Sequence, residues 1–174
     1  MKRLFFALWP DTQTRESLQR VNHLIRAQGL KAVRPDNYHV TLVFLGNVDD
    51  ATALLLNQHI DDISVKAFEL TFDQLSYWRR PRVLCLTCSR FGAEAVELAS
   101  ALDEQARACG LPTDTRPYTP HLTMARHVRH TPPEINFEPV VWHAKSFCLV
   151  ESCSEPDGVV YRVLQQWPLG LTSQ

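Results

Sequence analysis

Two short stretches of the chain share one layout. Arg34-Pro35-Asp36-Asn37-Tyr38-His39-Val40-Thr41-Leu42 and Arg116-Pro117-Tyr118-Thr119-Pro120-His121-Leu122-Thr123-Met124 both read R-P-x-x-x-H-Φ-T-Φ, with Φ apolar, and their histidines stand 82 positions apart in a chain of 174. A chain that carries one strand-like unit twice, about half its length apart, can set the two copies against each other across a cleft. In a strand, residues i and i+2 project from the same face. His39 then points with Thr41 and His121 with Thr123, while Val40, Leu42, Leu122 and Met124 pack behind them.

The surrounding pattern repeats as well. Residues 4–9 form an apolar run that reads as a short strand covered on both faces, and Pro10 stops it. Asp11 or Thr12 caps a helix that runs to about residue 28, with Leu18, Val21, Leu24 and Ile25 at helical spacing and Gly29 at its end. The first His-x-Thr unit lies in a strand over residues 38–45, closed by Gly46. A helix over residues 50–60 follows, then strands over 67–75 and 82–88, separated by the turn Tyr77-Trp78-Arg79-Arg80-Pro81. A third helix over 93–109 ends at Gly110 and leads to the second unit. Strands over 146–151 and 159–166 close the chain, joined by the turn Glu155-Pro156-Asp157-Gly158. Strand, helix and His-x-Thr strand therefore occur in that order twice, over residues 3–45 and 82–125. The expected architecture is α+β: one bilobal domain over residues 1–174, two antiparallel sheets facing a central cleft, and helices outside.

Composition narrows the function. The net charge of −1 excludes a strongly basic nucleic-acid binder that captures a duplex at long range. Within that balance 14 of the 18 cations are arginine, the better fork for phosphate oxygens, so local anion sites remain open. Cys85 and Cys88 have C-x-x-C spacing but sit in a strand, where positions three apart face opposite ways, so reduced, packed thiols are expected rather than a metal or redox pair. The apolar part of residues 1–10 is too short for a signal peptide, and no run reaches the length of a membrane span; a soluble, cytoplasmic protein is expected.

Each His-x-Thr unit offers an imidazole and a hydroxyl side by side on a rigid strand. Histidine titrates near neutrality and serves as acid or base without large tuning. The threonine hydroxyls can donate to non-bridging phosphate oxygens as negative charge builds up there. One such unit alone would be an ordinary half-buried strand; the matched pair points to paired proton transfer. A metal site would need further ligands, and neither unit carries a carboxylate, cysteine or second histidine on the same face.

The longer motifs around the doublets resemble the 2H phosphoesterase superfamily, and within it the bacterial RNA 2′,3′-cyclic phosphodiesterases, historically called 2′-5′ RNA ligases. The resemblance covers nearly the whole chain: Arg3-Leu4-Phe5-Phe6-Ala7, Asn37-Tyr38-His39-Val40-Thr41-Leu42-Val43-Phe44-Leu45-Gly46, and the second unit as far as Ala125-Arg126. It implies His39 as proton donor, His121 as proton acceptor, and Thr41, Thr123 and Arg126 on the phosphate, with no metal or other cofactor. It also implies a monomer acting on RNA 3′ ends that carry a 2′,3′-cyclic phosphate, tRNA fragments among them. Strict alternation would put Arg126 with Leu122 and Met124, so it reaches a phosphate only if the strand ends or bulges after Met124. Phe5 is a further candidate, on the cleft floor against a base, and Trp78, Arg79, Arg80 and Arg82 are candidates for an RNA-gripping rim. His127 and His130 read as surface residues, and His23, His59 and His143 carry no functional argument. If neither environment shifts the paired histidines, both limbs of the pH profile fall within about two units of ~6.5. Three other readings fit the same units: a ligase by the reverse reaction, an enzyme for a small cyclic nucleotide or ADP-ribose cyclic phosphate, and a non-catalytic RNA-end binder.

Overall fold

The apolar run near the N-terminus lacks alternation, and in the computed structural model, which describes residues 1–170, it is an inner strand. β1 (Lys2–Leu8) lies between β2 (Val40–Val48) and β8 (Ser146–Glu155), and β9 (Gly158–Pro168) completes an antiparallel sheet in the order β2-β1-β8-β9. Leu4, Phe6 and Leu8 enter the main core, while Phe5 and Ala7 project from the other face and join Cys148 and Val150 of β8. A second antiparallel group has the order β4-β5-β6, from β4 (Gln74–Trp78), β5 (Val83–Thr87) and β6 (His121–Arg126). β3 (Phe68–Phe72) pairs with β7 (Val140–Ala144) as a separate ladder.

The helices cover these sheets. α1 (Thr12–Ala27) starts where the Asp11 carboxylate accepts from the Thr14 amide at 2.8 Å and ends before Gly29, whose φ of +73° only glycine adopts readily. Its buried stripe is Leu18, Val21 and Ile25; Leu24, at helical spacing with them, is 40 % exposed instead. α2 (Asp50–Ile60) is capped by Asp49 in the same way, and α3 (Ala93–Ala108) buries Leu98 and Leu102. The helices cross between the halves: α1 packs on β6 and β7, and α3 packs on β2. One continuous apolar core therefore takes Leu18 and Ile25 from the first half and Leu122 and Met124 from the second.

The fold is mixed α+β with antiparallel sheets, as expected, and its strands differ from the sequence reading at three places. The single run expected over 67–75 is two strands, because Asp73 leaves β3 and its carboxylate accepts from the Ser89 amide at 2.8 Å. β7 went unassigned, although Val140, Trp142 and Ala144 alternate with the exposed Val141 and His143. Gly46 does not close the first His-x-Thr strand. It sits inside β2 at φ +73°, where Leu4 pairs with Gly46 and Phe5 with Phe44, so that Leu45 is bulged out. Gly46→Ala puts a Cβ into that left-handed position, at about 1–2 kcal/mol. Thermal or denaturant unfolding should show a loss of that size, and an unchanged midpoint would mean that β2 holds its register without the glycine.

Candidate active site

β2 and β6 are outer strands of their sheets and lie beside each other, each beginning at or next to its histidine. The connection between α1 and β2 ties the two together: the Val33 amide donates to the Met124 carbonyl at 2.7 Å, and the Arg126 amide donates to the Lys31 carbonyl at 3.2 Å. The same connection then turns through a 3-10 segment at Pro35–Asn37 and delivers His39. In the second unit the matching Arg116-Pro117 stretch has no such turn, and the Arg116 guanidinium forks onto Asp114.

Despite that difference the two imidazoles are held alike. His39 Nδ1 donates to the Asn37 carbonyl at 2.8 Å, and His121 Nδ1 donates to the Thr119 carbonyl at 2.9 Å. A carbonyl only accepts, so each Nδ1 carries a proton and leaves Nε2 as the ring's other nitrogen. Thr41 and Thr123 follow at i+2 and are half-buried. The hydroxyl of Thr123 rests 3.9 Å from Cys85 Sγ.

Arg126 joins this face through a bulge. Val83, Cys85 and Thr87 pair with Arg126, Thr123 and His121, while the register slips between Leu84 and Cys85 and leaves Met124 without a cross-strand partner. Residues opposite each other in an antiparallel pair share a face, so the extra residue brings Arg126 round to the side of His121 and Thr123. β2 bulges at the corresponding place: Ala7 pairs with Thr41 and Phe6 with Val43, leaving out Leu42. Phe44 therefore occupies in the first unit the position that Arg126 has in the second, and the Arg3 guanidinium lies over its ring at 5.1 Å.

The environments of the histidines differ. His39 is walled by aromatic rings: Phe5 at 5.0 Å, Tyr161 edge-on at 4.8 Å and Trp9 stacked at 6.1 Å. Burial pushes its pKa down to about 4, and the nearby positive charges of Arg126 and His121 push the same way, against the Asn37 hydrogen bond that raises it. These couplings place His39, His121 and Arg126 within one electrostatic site. His121 has one aromatic neighbour, Trp78, with ring centres 4.7 Å apart.

Of the residues singled out in the sequence, His39, His121 and Arg126 are coupled electrostatically, and Thr41 and Thr123 follow the two histidines at i+2 on the neighbouring strands β2 and β6. Phe5 does not offer its face to a base: it is 3 % exposed, beneath His39 and against Tyr161 at 5.2 Å, so it supports the imidazole instead. Trp78 belongs to the site through His121 and not through an outer rim. Trp9 and Tyr161 were missed. Trp9 was counted as the end of a buried strand, and only tertiary pairing of β8 with β9 brings Tyr161 to His39. Cys85 and Cys88 are free and buried, and burial raises both thiols to about 11, which keeps them protonated at neutral pH. Among the described residues no three His, Cys, Asp or Glu side chains converge as metal ligands.

Comparison with known proteins shows the family. The family model "LigT like Phosphoesterase" matches residues 8–85 and 87–161, the first segment holding His39 and Thr41 and the second His121 and Thr123. The RNA 2′,3′-cyclic phosphodiesterase of Escherichia coli strain K12 is 31 % identical over 174 residues, 97 % of each chain. The crystal structure of E. coli LigT in apo form superposes with a TM-score of 0.83 at 29 % identity, covering 97 % of this chain and 98 % of that one. The structure of E. coli LigT complexed with 3′-AMP gives 0.84 at 28 % identity, with the same coverage. The chain belongs to the LigT-like phosphoesterase family of the 2H superfamily and is a phosphoesterase.

The aromatic wall predicts how His39 titrates. In the free protein its ring should titrate near 4, well below the ordinary 6.5, when followed by NMR. Tyr161→Ser opens one side to water and should move that titration upward, since desolvation is the largest cause of the shift. A His39 ring that titrates at its ordinary value in the intact protein would remove burial as the cause.

Proposed function

We propose that this protein opens a ribose 2′,3′-cyclic phosphate at an RNA 3′ end with water, leaving a 2′-phosphomonoester, by two-histidine acid–base catalysis without a metal. The observation that carries the proposal is the matched pair of imidazoles, each with Nδ1 tied to the carbonyl two residues upstream and Nε2 left for chemistry, on adjacent strands with Thr41, Thr123 and Arg126. The names of the curated relatives and the 3′-AMP complex of E. coli LigT support the choice of a ribose phosphate end as substrate. The five free thiols suit a reducing compartment, in keeping with a cytoplasmic enzyme.

In this mechanism His121 Nε2 takes a proton from water as the water oxygen attacks phosphorus. The P–O3′ bond breaks in line with the attack, and His39 Nε2 gives its proton to O3′. Thr41, Thr123 and Arg126 donate to the non-bridging oxygens, whose charge grows in the transition state. Each proton transfer contributes about 10²–10⁴ in rate.

The donor role sets a condition on His39. Near neutral pH it is uncharged in the free protein, so the negative charge of the bound phosphate must lift its pKa before it can donate. The active form holds one proton on the pair, whichever ring carries it. The low-pH limb of kcat/KM therefore belongs near the free His39 value of about 4, outside the two units around ~6.5 expected for unshifted histidines.

Hydrolysis of a short RNA ending in a 2′,3′-cyclic phosphate should persist in chelator, and His39→Ala and His121→Ala should each lower turnover about a hundredfold or more. Thr41→Ala and Thr123→Ala should lose less. Activity that vanishes in chelator and returns with added metal would overturn the mechanism.

A nitrophenyl phosphodiester separates donor from acceptor, since its leaving group needs no proton. It should partly rescue His39→Ala and not His121→Ala. Rescue of His121→Ala alone would exchange the two roles.

A further inference from the structure

A second group of basic side chains lies outside the His-x-Thr face. The β4–β5 turn carries Arg79, Arg80 and Arg82, and the chain leaving β6 brings Arg129 and His130 to the same cavity of about 480 Å³. That is within the ~300–1,000 Å³ typical of small-ligand sites. Among the described residues none of these four arginines is ion-paired, whereas Arg107, Arg116 and Arg162 each hold a carboxylate. Four guanidinium groups gathered around an open space, without acidic partners, are self-repelling until an anion enters.

The backbone is shaped for this meeting. Arg82 and His127, at φ +67° and +58°, are the non-glycine residues with positive φ among those described, and both flank the cavity segments. Such conformations are strained and persist where surrounding structure imposes them. Here the Val128 amide donates to the Arg82 carbonyl at 3.0 Å, and the Tyr77 hydroxyl donates to the Val128 carbonyl at 2.9 Å. The two bonds fasten the chain after β6 onto the turn, so Arg129 is held next to Arg79 and Arg80 rather than projecting alone. The site is also joined to the chemistry: Trp78, one residue before Arg79, packs on His121, and Arg126 is one residue before His127.

We infer that this cavity is a second phosphate site, which holds a backbone phosphodiester of the RNA upstream of the end being opened. The inference rests on the phosphodiesterase reading for its ligand. It gives Arg79, Arg80 and Arg129 a role with oligomers that a cyclic mononucleotide, having a single phosphate, does not use. It also supplies short-range grip to a chain whose net charge of −1 gives no long-range attraction.

The test compares wild type with Arg79→Ser/Arg129→Ser, and with Arg80→Ser, all at exposed positions. Substrates are a 2′,3′-cyclic mononucleotide and a short RNA oligomer with the same end. The double variant should raise KM for the oligomer about tenfold and leave mononucleotide kcat/KM within about twofold. Binding of a labelled RNA ending in a 3′-phosphate should lose salt dependence, by about 0.7 in the slope of log K against log salt for each phosphate contact removed from a single strand. Equal losses on both substrates would overturn the inference, as would an unchanged salt slope. Inorganic phosphate that binds the cavity without competing with the oligomer would overturn it too, by marking a site for a small free anion. If wild type hydrolyses neither substrate, the phosphodiesterase reading fails, while the salt slope still decides the second site.

Discussion

The double burial of β1 underlies the rest of the structure. Leu4, Phe6 and Leu8 take one side of the strand into the main core, and Phe5 and Ala7 take the other side under the aromatic wall of His39. Complete burial of a Phe or Leu side chain contributes about 1.5–3 kcal/mol, so this strand anchors its neighbours firmly. With β1 in the middle, β2 becomes an outer strand, and its free side is where β6 arrives. The candidate catalytic face is thus the reverse side of the packing that holds the first sheet to its helices. α1 and α3 reinforce the arrangement by crossing to the opposite half, so neither His-x-Thr strand can shift without disturbing the common core.

On this shared frame the two units diverge in chemistry. Both bulge one residue after the threonine, and both hold Nδ1 on a carbonyl two residues upstream. One bulge presents Phe44 and the other Arg126; one imidazole is caged by three rings and the other leans on Trp78. Burial lowers the pKa of His39, and it does so with apolar walls rather than with a carboxylate partner. In the proposed mechanism substrate charge is then the variable that brings the caged ring into use, since a nearby anion offsets the desolvation of an imidazolium.

Much of this was legible in the sequence because it is local. Alternation puts His39 with Thr41 and His121 with Thr123, Asp11 and Asp49 mark helix starts, and the unbroken apolar run of β1 signals two covered faces. The condition for Arg126 was also readable, since alternation fails unless the strand bulges, and the bulge lies at Met124. What was not legible depends on distant pairing. Tyr161 reaches His39 because β8 and β9 form the far side of the first sheet, a relation with no trace in spacing. Phe5 was placed on the correct face, but its burial follows from the same rings arriving from elsewhere. Asp73 split one apparent strand because its carboxylate answers to Ser89 across the turn, a contact that propensity does not register.

The charge distribution bears on how the proposed substrate, an RNA end, is recognised. At physiological ionic strength fields between exposed charges fade over about 8 Å, and a near-neutral chain has little net field to begin with. Recognition therefore has to come from contacts made after encounter. In the proposed reading Arg126, and the β4–β5 turn arginines that hold no ion pair among the described residues, supply such contacts, at points joined through Trp78 and the segment after β6. Concentrating arginine there, while balancing charge elsewhere with acidic residues, favours a phosphate already close over a polyanion at a distance. Under the proposed function, such an arrangement selects the terminus of a strand by what lies in its cleft and not by the bulk charge of the nucleic acid, which suits chemistry confined to one phosphate at the end of a chain.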